Sequence, residues 1–303
     1  MFVRSLISFF LLSSFASAGI IQEVRLSISQ NNFPAAESQL KAYRDQRGID
    51  PEYLEALSWM GRGALAAGRL DQAQDYARTT EKQTISYIKT RKLDSDPHLG
   101  IALGAALEVE AQSLAQQNKR AEAVTLLKRA LAKYGNSSIR VRLQKNVNIL
   151  SLSGQPAPTL EIVQHLGPQP VALGQLKGSP VLLFFWAHWC SDCKAEAPIM
   201  ARLHSEYKDL NLIGPTQLYG YTARGEEAAP AQELAYIDSV RQKFYASLAD
   251  MPVPVSQANF NAYGASTTPT IVLLDRAGKV ALYHPGAMPY EELHKAIADV
   301  LRP

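Results

Sequence analysis

The stretch "FFWAHWCSDCKAEAP", residues 184–198, holds both cysteines of a 303-residue chain, three positions apart. It follows an apolar run, "PVLLFFWA" at 180–187, of the length expected for a fully buried strand. Behind it, "CKAEAPIMARLHSEYKD" reads as a helix. Cys190 therefore stands where a strand hands over to a helix. Unpaired N–H groups at a helix start carry partial positive charge, which stabilises a thiolate. Cys193 lies one turn further on, within reach of a short disulfide. An exposed, nucleophilic first thiol and a sheltered, resolving second one are what thiol–disulfide exchange requires.

Other uses of the pair fit less well. Two cysteines so close in sequence close a tiny loop, which removes little entropy from the unfolded chain, so a structural staple is a poor explanation. Zinc would want two further Cys or His ligands at suitable spacing. His188 is near, but the chain has no second Cys-x-x-Cys and no His pair. A peroxidase of the peroxiredoxin type would need a Pro and a Thr or Ser upstream, where this chain has Phe-Trp-Ala-His-Trp. No metal and no cofactor are expected.

The rest of the chain divides into two patterns. Residues 19–150 are rich in Ala, Leu, Gln, Arg and Glu, with apolar residues at helical spacing. In "AEAVTLLKRALAKYG", Ala123, Leu126, Leu127, Ala130 and Leu131 form one stripe, and Gly135 is expected to end that helix in the left-handed conformation. Other helices are expected near Ile20–Gln30, Pro34–Arg47, Pro51–Ala67, Asp71–Lys92, Pro97–Gln117 and Ser137–Ile149. "SLSGQPAP", 151–158, reads as a linker. From 159 to 303, apolar runs alternate with helical segments. "LNLIGPT", "PTIVLLD" and "KVALYHP" join the first run as strands, and "PAQELAYIDSVRQKFY" and "PYEELHKAIADVLR" supply helices. The expected fold class is an α-helical repeat domain followed by an α/β domain with a mixed central sheet.

The first eighteen residues, "MFVRSLISFFLLSSFASA", read as a secretory leader. Arg4 gives a positive start, the apolar core is short of the roughly 20 residues of a spanning helix, and Ala16-Ser17-Ala18 is a cleavage signal. The mature protein is expected to be exported, without a lipid anchor. A net charge of +3 is too small to point to nucleic acid.

Three segments of the helical half, "NNFPAAESQL", "GRLDQAQDYA" and "NKRAEAVTLL", bring Ala36, Ala73 and Ala123 into register at steps of 37 and 50. The last two resemble tetratricopeptide units, with Gly61 and Ala111 where paired helices would cross, although the steps exceed the usual 34 or so. The resemblance implies an extended surface for a protein partner or for self-association. "WAHWCSDCK" resembles the thioredoxin active site. "GQPAPTLEI", "LKGSPVLLFFWA" and "YGASTTPTIVLLDRAGKV" narrow the resemblance to the exported TlpA/ResA-like branch, from Gly154 to Pro303.

That resemblance implies a thioredoxin-like fold in which Cys190 attacks and Cys193 resolves. Trp189 flanks the site, and Pro269, after Thr268, is a cis-proline facing the disulfide. Lacking an N–H, Pro269 would leave the Thr268 backbone free to pair with an extended client. Cytoplasmic thioredoxin keeps a buried aspartate where this chain has Phe184. Glu196, three residues after Cys193, matches a glutamate of the ResA-like branch and is the candidate to take the Cys193 proton. In the inner dipeptide Ser191-Asp192, the aspartate disfavours the thiolate and so the reduced form, which argues for a reductant. A protonated His188 would oppose it. The segment around Gly220, Tyr221 and "TARGEEAAP" is expected to be a mobile loop beside the site. His98, His165, His204, His284 and His294 are expected to be surface or structural. Together these readings imply an exported thiol–disulfide oxidoreductase that reduces protein disulfides. With no third cysteine it would need a separate redox partner, expected to be a membrane electron carrier. The alternative is an envelope scaffold built on the helical array.

Overall fold

The computed structural model describes residues 19–302, so the expected leader at 1–18 lies outside the described residues. The amino-terminal half is a stack of helices: α1 (Ile20–Ser29), α2 (Phe33–Arg47), α3 (Pro51–Ala66), α4 (Leu70–Tyr87), α5 (Pro97–Gln116), α6 (Arg120–Tyr134) and α7 (Arg140–Ser151). Their starts follow from local chemistry. Asn32, Asp50 and Asp96 accept hydrogen bonds from Ala35, Tyr53 and His98 N–H, and Pro51 and Pro97 occupy the first helical position of α3 and α5. Small residues let the helices approach. At Gly61 an added Cβ would lie 3.5–3.6 Å from Val109 and from the α4 backbone at Ala73 and Ala77. Leu54, Met60, Leu99, Leu103 and Leu127 fill the shared core and are fully buried.

Two local expectations are corrected. The helix expected over Asp71–Lys92 ends at Tyr87 and is followed by two short 3-10 turns, 88–90 and 93–95. Thr80 and Thr84 donate their hydroxyls to the carbonyls of Tyr76 and Thr80, a pattern that weakens the later turns. Gly135 is right-handed at φ −65°, not left-handed. Its carbonyl accepts from Arg140 Nη1, and Ser137 N–H closes a turn onto Tyr134 O, so the chain continues directly towards α7.

The carboxy-terminal half contains β1 (His165–Leu166), β2 (Val181–Phe185), α8 (Ser191–Glu206), β3 (Asn211–Ile213), α9 (Pro230–Phe244), β4 (Val253–Pro254), α10 (Gln257–Tyr263), β5 (Thr270–Leu274), β6 (Val280–Pro285) and α11 (Tyr290–Leu301). The main sheet has the order β3-β2-β5-β6, parallel between β2 and β3 and antiparallel elsewhere. A helical half followed by an α/β half with a mixed sheet is the expected architecture. The short antiparallel pair β1–β4 was not expected.

β2 is buried at every position, and its alternation serves two cores. Leu182 and Phe184 face Met200, Leu203 and Ile297. Val181, Leu183 and Phe185 face Phe260 and Tyr263, with Phe185 edge-on to Phe260 at 5.4 Å. Each such side chain contributes about 1.5–3 kcal/mol by leaving water. Leu152, just past α7, belongs to this second core, and Asn148 Nδ2 donates to Ala262 O of α10. Helix α7 thus docks the helical half onto the α/β half.

Candidate active site

Strand β2 ends at Phe185, and Trp186 N–H donates to Pro215 O, which continues the pairing with the chain after β3 before α8 begins. Cys190 is the residue capping α8, and its Sγ accepts from Cys193 N–H at 3.0 Å. That is the hydrogen bond a thiolate at this position would receive, reinforced by the partial positive charge of the helix start. The two sulfurs are bonded, with Cα atoms 5.3 Å apart. The Thr268–Pro269 peptide is cis, and Thr268 O lies 3.4 Å from Cys190 Sγ. The structure therefore brings Cys190, Cys193, Thr268 and Pro269 together.

The expected exposure of the first thiol is corrected. Cys190 keeps only 4% of its surface and Cys193 none, whereas the adjacent Trp189 is 49% exposed. The order of access is retained, but the opening is small, because Thr268 and the α8 backbone close in on Sγ.

Glu196 lies on α8 one turn after Cys193 and is 4% exposed. Residues three apart on a helix are surface neighbours, so its carboxyl shares the face of Cys193. Met288 N–H donates to Glu196 Oε1 at 3.2 Å. Burial pushes the Glu196 carboxyl above its ordinary value, the Met288 hydrogen bond and His284 oppose this, and Asp192 adds to it. Phe184, standing where thioredoxin keeps its aspartate, is fully buried against Tyr245 at 6.2 Å. Lys194 is held below the ordinary lysine value, first by burial and then by Lys243.

His188 departs from expectation. Its side chain is 1% exposed and burial holds its pKa below the ordinary histidine value, against the pull of Glu233. A neutral ring at neutral pH does not offset Asp192. The loop expected to be mobile is tied down. Tyr219 and Gly220 N–H donate to Glu233 at 2.6 and 2.8 Å, and Tyr221 bridges to Glu227. Sequence reading missed Glu233 and Tyr219, since nothing local distinguishes a buried glutamate in "AQELAY" from a solvated one. Among the other histidines, His98 pairs with Glu55 at 2.6 Å and His204 with Asp250 at 2.8 Å.

No helix among the described residues is long and apolar enough to cross a membrane. Residues 172–301 match the family described as thioredoxin-like domain. The chain is similar to the thioredoxin-like protein YneN of Bacillus subtilis, 29% identical, over 48% of this chain and 78% of that protein. It is 26% identical to the thiol:disulfide interchange protein DsbE of Xylella fastidiosa, over 50% and 70% of the two chains. Similarity to the thiol-disulfide oxidoreductase ResA of Oceanobacillus iheyensis is 27%, over 52% and 77%.

Proposed function

We propose, for a chain whose residues 172–301 form a thioredoxin-like domain and whose relatives include thiol–disulfide oxidoreductases, that it is an exported oxidoreductase reducing disulfides in protein clients. The observation that carries the reading is the placement of Cys190 Sγ. It accepts Cys193 N–H at the start of α8 and faces Thr268 O, with Cys193 sealed behind it.

In the reduced protein the Cys190 thiolate attacks one sulfur of a client disulfide, and the other client sulfur leaves as a thiolate. An extended client segment would pair with the Thr268 backbone ahead of Pro269, beside Trp189. The Cys193 thiol then gives its proton to the Glu196 carboxylate, which its buried site makes more basic than an ordinary glutamate. The resulting Cys193 thiolate attacks Cys190 Sγ, the second client sulfur leaves as a thiolate, and Cys190–Cys193 is a disulfide again. Two electrons have passed to the client. A separate redox partner, of the membrane electron-carrier kind, must return them. The helical half is read as a docking surface for a partner or for self-association.

The test has two arms. Cys193→Ser, reduced and mixed with an oxidised protein client, should trap a mixed disulfide at Cys190, and Cys190→Ser should trap none. The Cys190–Cys193 potential should lie near the thioredoxin value of about −270 mV. A potential near the roughly −120 mV of a strong oxidant would overturn the reductase direction, and failure of Cys193→Ser to trap would overturn the activity.

A further inference from the structure

The residue behind the Tyr219–Gly220 loop is Glu233, at the start of α9, with none of its surface exposed. A carboxylate so deeply buried is costly unless its oxygens are satisfied. Among the described residues no Lys or Arg forms an ion pair with it. It is held instead by the N–H groups of Tyr219 (2.6 Å) and Gly220 (2.8 Å), one on each oxygen. His188 Nε2 stands 3.3 Å from Oε1 without hydrogen-bond alignment. Two successive N–H groups converge on one carboxylate here with Gly220 at φ +85°, a conformation glycine adopts at little cost.

What this clamp fixes is an aromatic ring. Tyr219 lies edge-on to Trp189 at 5.6 Å and to His188 at 5.5 Å. Cys190 is nearly closed off while Trp189 is the exposed large side chain next to it. Anything reaching Cys190 from the Trp189 side meets the Trp189–Tyr219 pair. Such a pair adds contact area for an extended polypeptide. A small disulfide is too short to use it.

We propose that Glu233 is a positioning residue for client recognition: by clamping Tyr219 and Gly220 it holds Tyr219 against Trp189 as a wall beside Cys190, and so favours polypeptide disulfides over small ones. The inference rests on the oxidoreductase reading above.

The experiment measures kcat and KM of the full chain with insulin as the polypeptide disulfide and oxidised glutathione as the small one. Glu233→Ala should lower the insulin-to-glutathione ratio of kcat/KM by about tenfold, equivalent to about 1.4 kcal/mol, with the insulin loss in KM rather than kcat. Glu233→Gln, whose amide oxygen still accepts one N–H, should recover part of it. Tyr219→Leu should give the same shift, and the double variant should add less than about twofold to either single, since both act through one contact. If Glu233→Ala does not fold, Tyr219→Leu alone decides. An unchanged ratio in a folded variant, or equal loss on both substrates, overturns the proposal while leaving the oxidoreductase reading intact. A wild-type chain inactive on both substrates overturns that reading and this one with it.

Discussion

Replacing Gly264 by alanine should separate the two halves of the molecule. Gly264 ends α10 at φ 62°, in the left-handed region. An added Cβ would lie 2.3 Å from Lys145 N, 2.6 Å from Lys145 Cα and 2.7 Å from the carbonyl carbon of Gln144. The left-handed conformation costs a non-glycine residue about 1–2 kcal/mol. The clash adds to this, because backbone atoms of α7 cannot rotate aside and the helices must move apart. Overpacking of that kind costs about 1–3 kcal/mol, for a sum of about 2–5 kcal/mol. At about 2–4 °C per kcal/mol for a domain of this size, the thermal midpoint should fall by roughly 4–20 °C. Gly278→Ala supplies the control. Gly278 is also left-handed, at φ 77°, but its added Cβ would meet only Lys177 Cε, at 3.9 Å. It should show the backbone cost alone, so the difference between the two variants, followed by circular dichroism, reports the α7–α10 contact. Midpoints for the two variants within about 1 °C of each other would refute the docking of the halves through this helix pair.

Glu196→Gln should slow decay of the mixed disulfide by about 10²–10⁴ while leaving the first attack by Cys190 at its wild-type rate, read by stopped flow; equal decay rates would remove Glu196 from the chemistry. The same variant has a stability signature. Burial raises the Glu196 carboxyl, so above the ordinary 4.5 the folded state binds more protons than the unfolded and wild-type stability falls as pH rises through the raised value. The urea midpoint of Glu196→Gln should lack that component. His98 has a raised pKa, chiefly from its hydrogen bond to Glu55 and against burial. Its contribution is fully present below 6.5 and is lost as pH rises through the folded value, so His98→Gln should flatten the midpoint's pH dependence above about pH 6.

What could be read in the sequence was what is local in the chain. The cysteine pair, the buried strand ahead of it and the helix behind it lie within one continuous stretch, and the spacing at a helix start puts Cys190 and Cys193 within disulfide reach. Glu196 became a candidate through the resemblance to the ResA-like branch, and its separation of three residues from Cys193 accounts for the shared helical face. Gly135 was misread because a glycine permits the left-handed conformation without demanding it, and the downstream turn held by Arg140 and Ser137 decided otherwise. Glu233 was out of reach for a different reason. Its partners lie 13 and 14 residues earlier, and its burial is created only when α9 packs beside the loop. The α7–α10 contact joins residues more than a hundred positions apart, and Gly264 gave no hint of it.

The narrowness of the opening at Cys190 constrains how the proposed exchange can run. Cys193 is sealed and Cys190 keeps 4% of its surface, so every disulfide exchange with another protein must begin at the same sulfur. The chain's two cysteines are both spent in that pair, and no third thiol can pass electrons onward from elsewhere. Donor and client therefore compete for one site and meet it in turn. The kinetics should be ping-pong, because oxidised client reacts with the reduced pair and the donor with the disulfide that this reaction leaves. A surface that must accept both partners favours recognition through backbone pairing at Thr268 and nonspecific aromatic contact at Trp189 over a tailored side-chain pocket. On that account, discrimination among clients beyond what the wall provides has to come from a surface away from the sulfurs, and the helical half docked through α7 is where the chain has such a surface to offer.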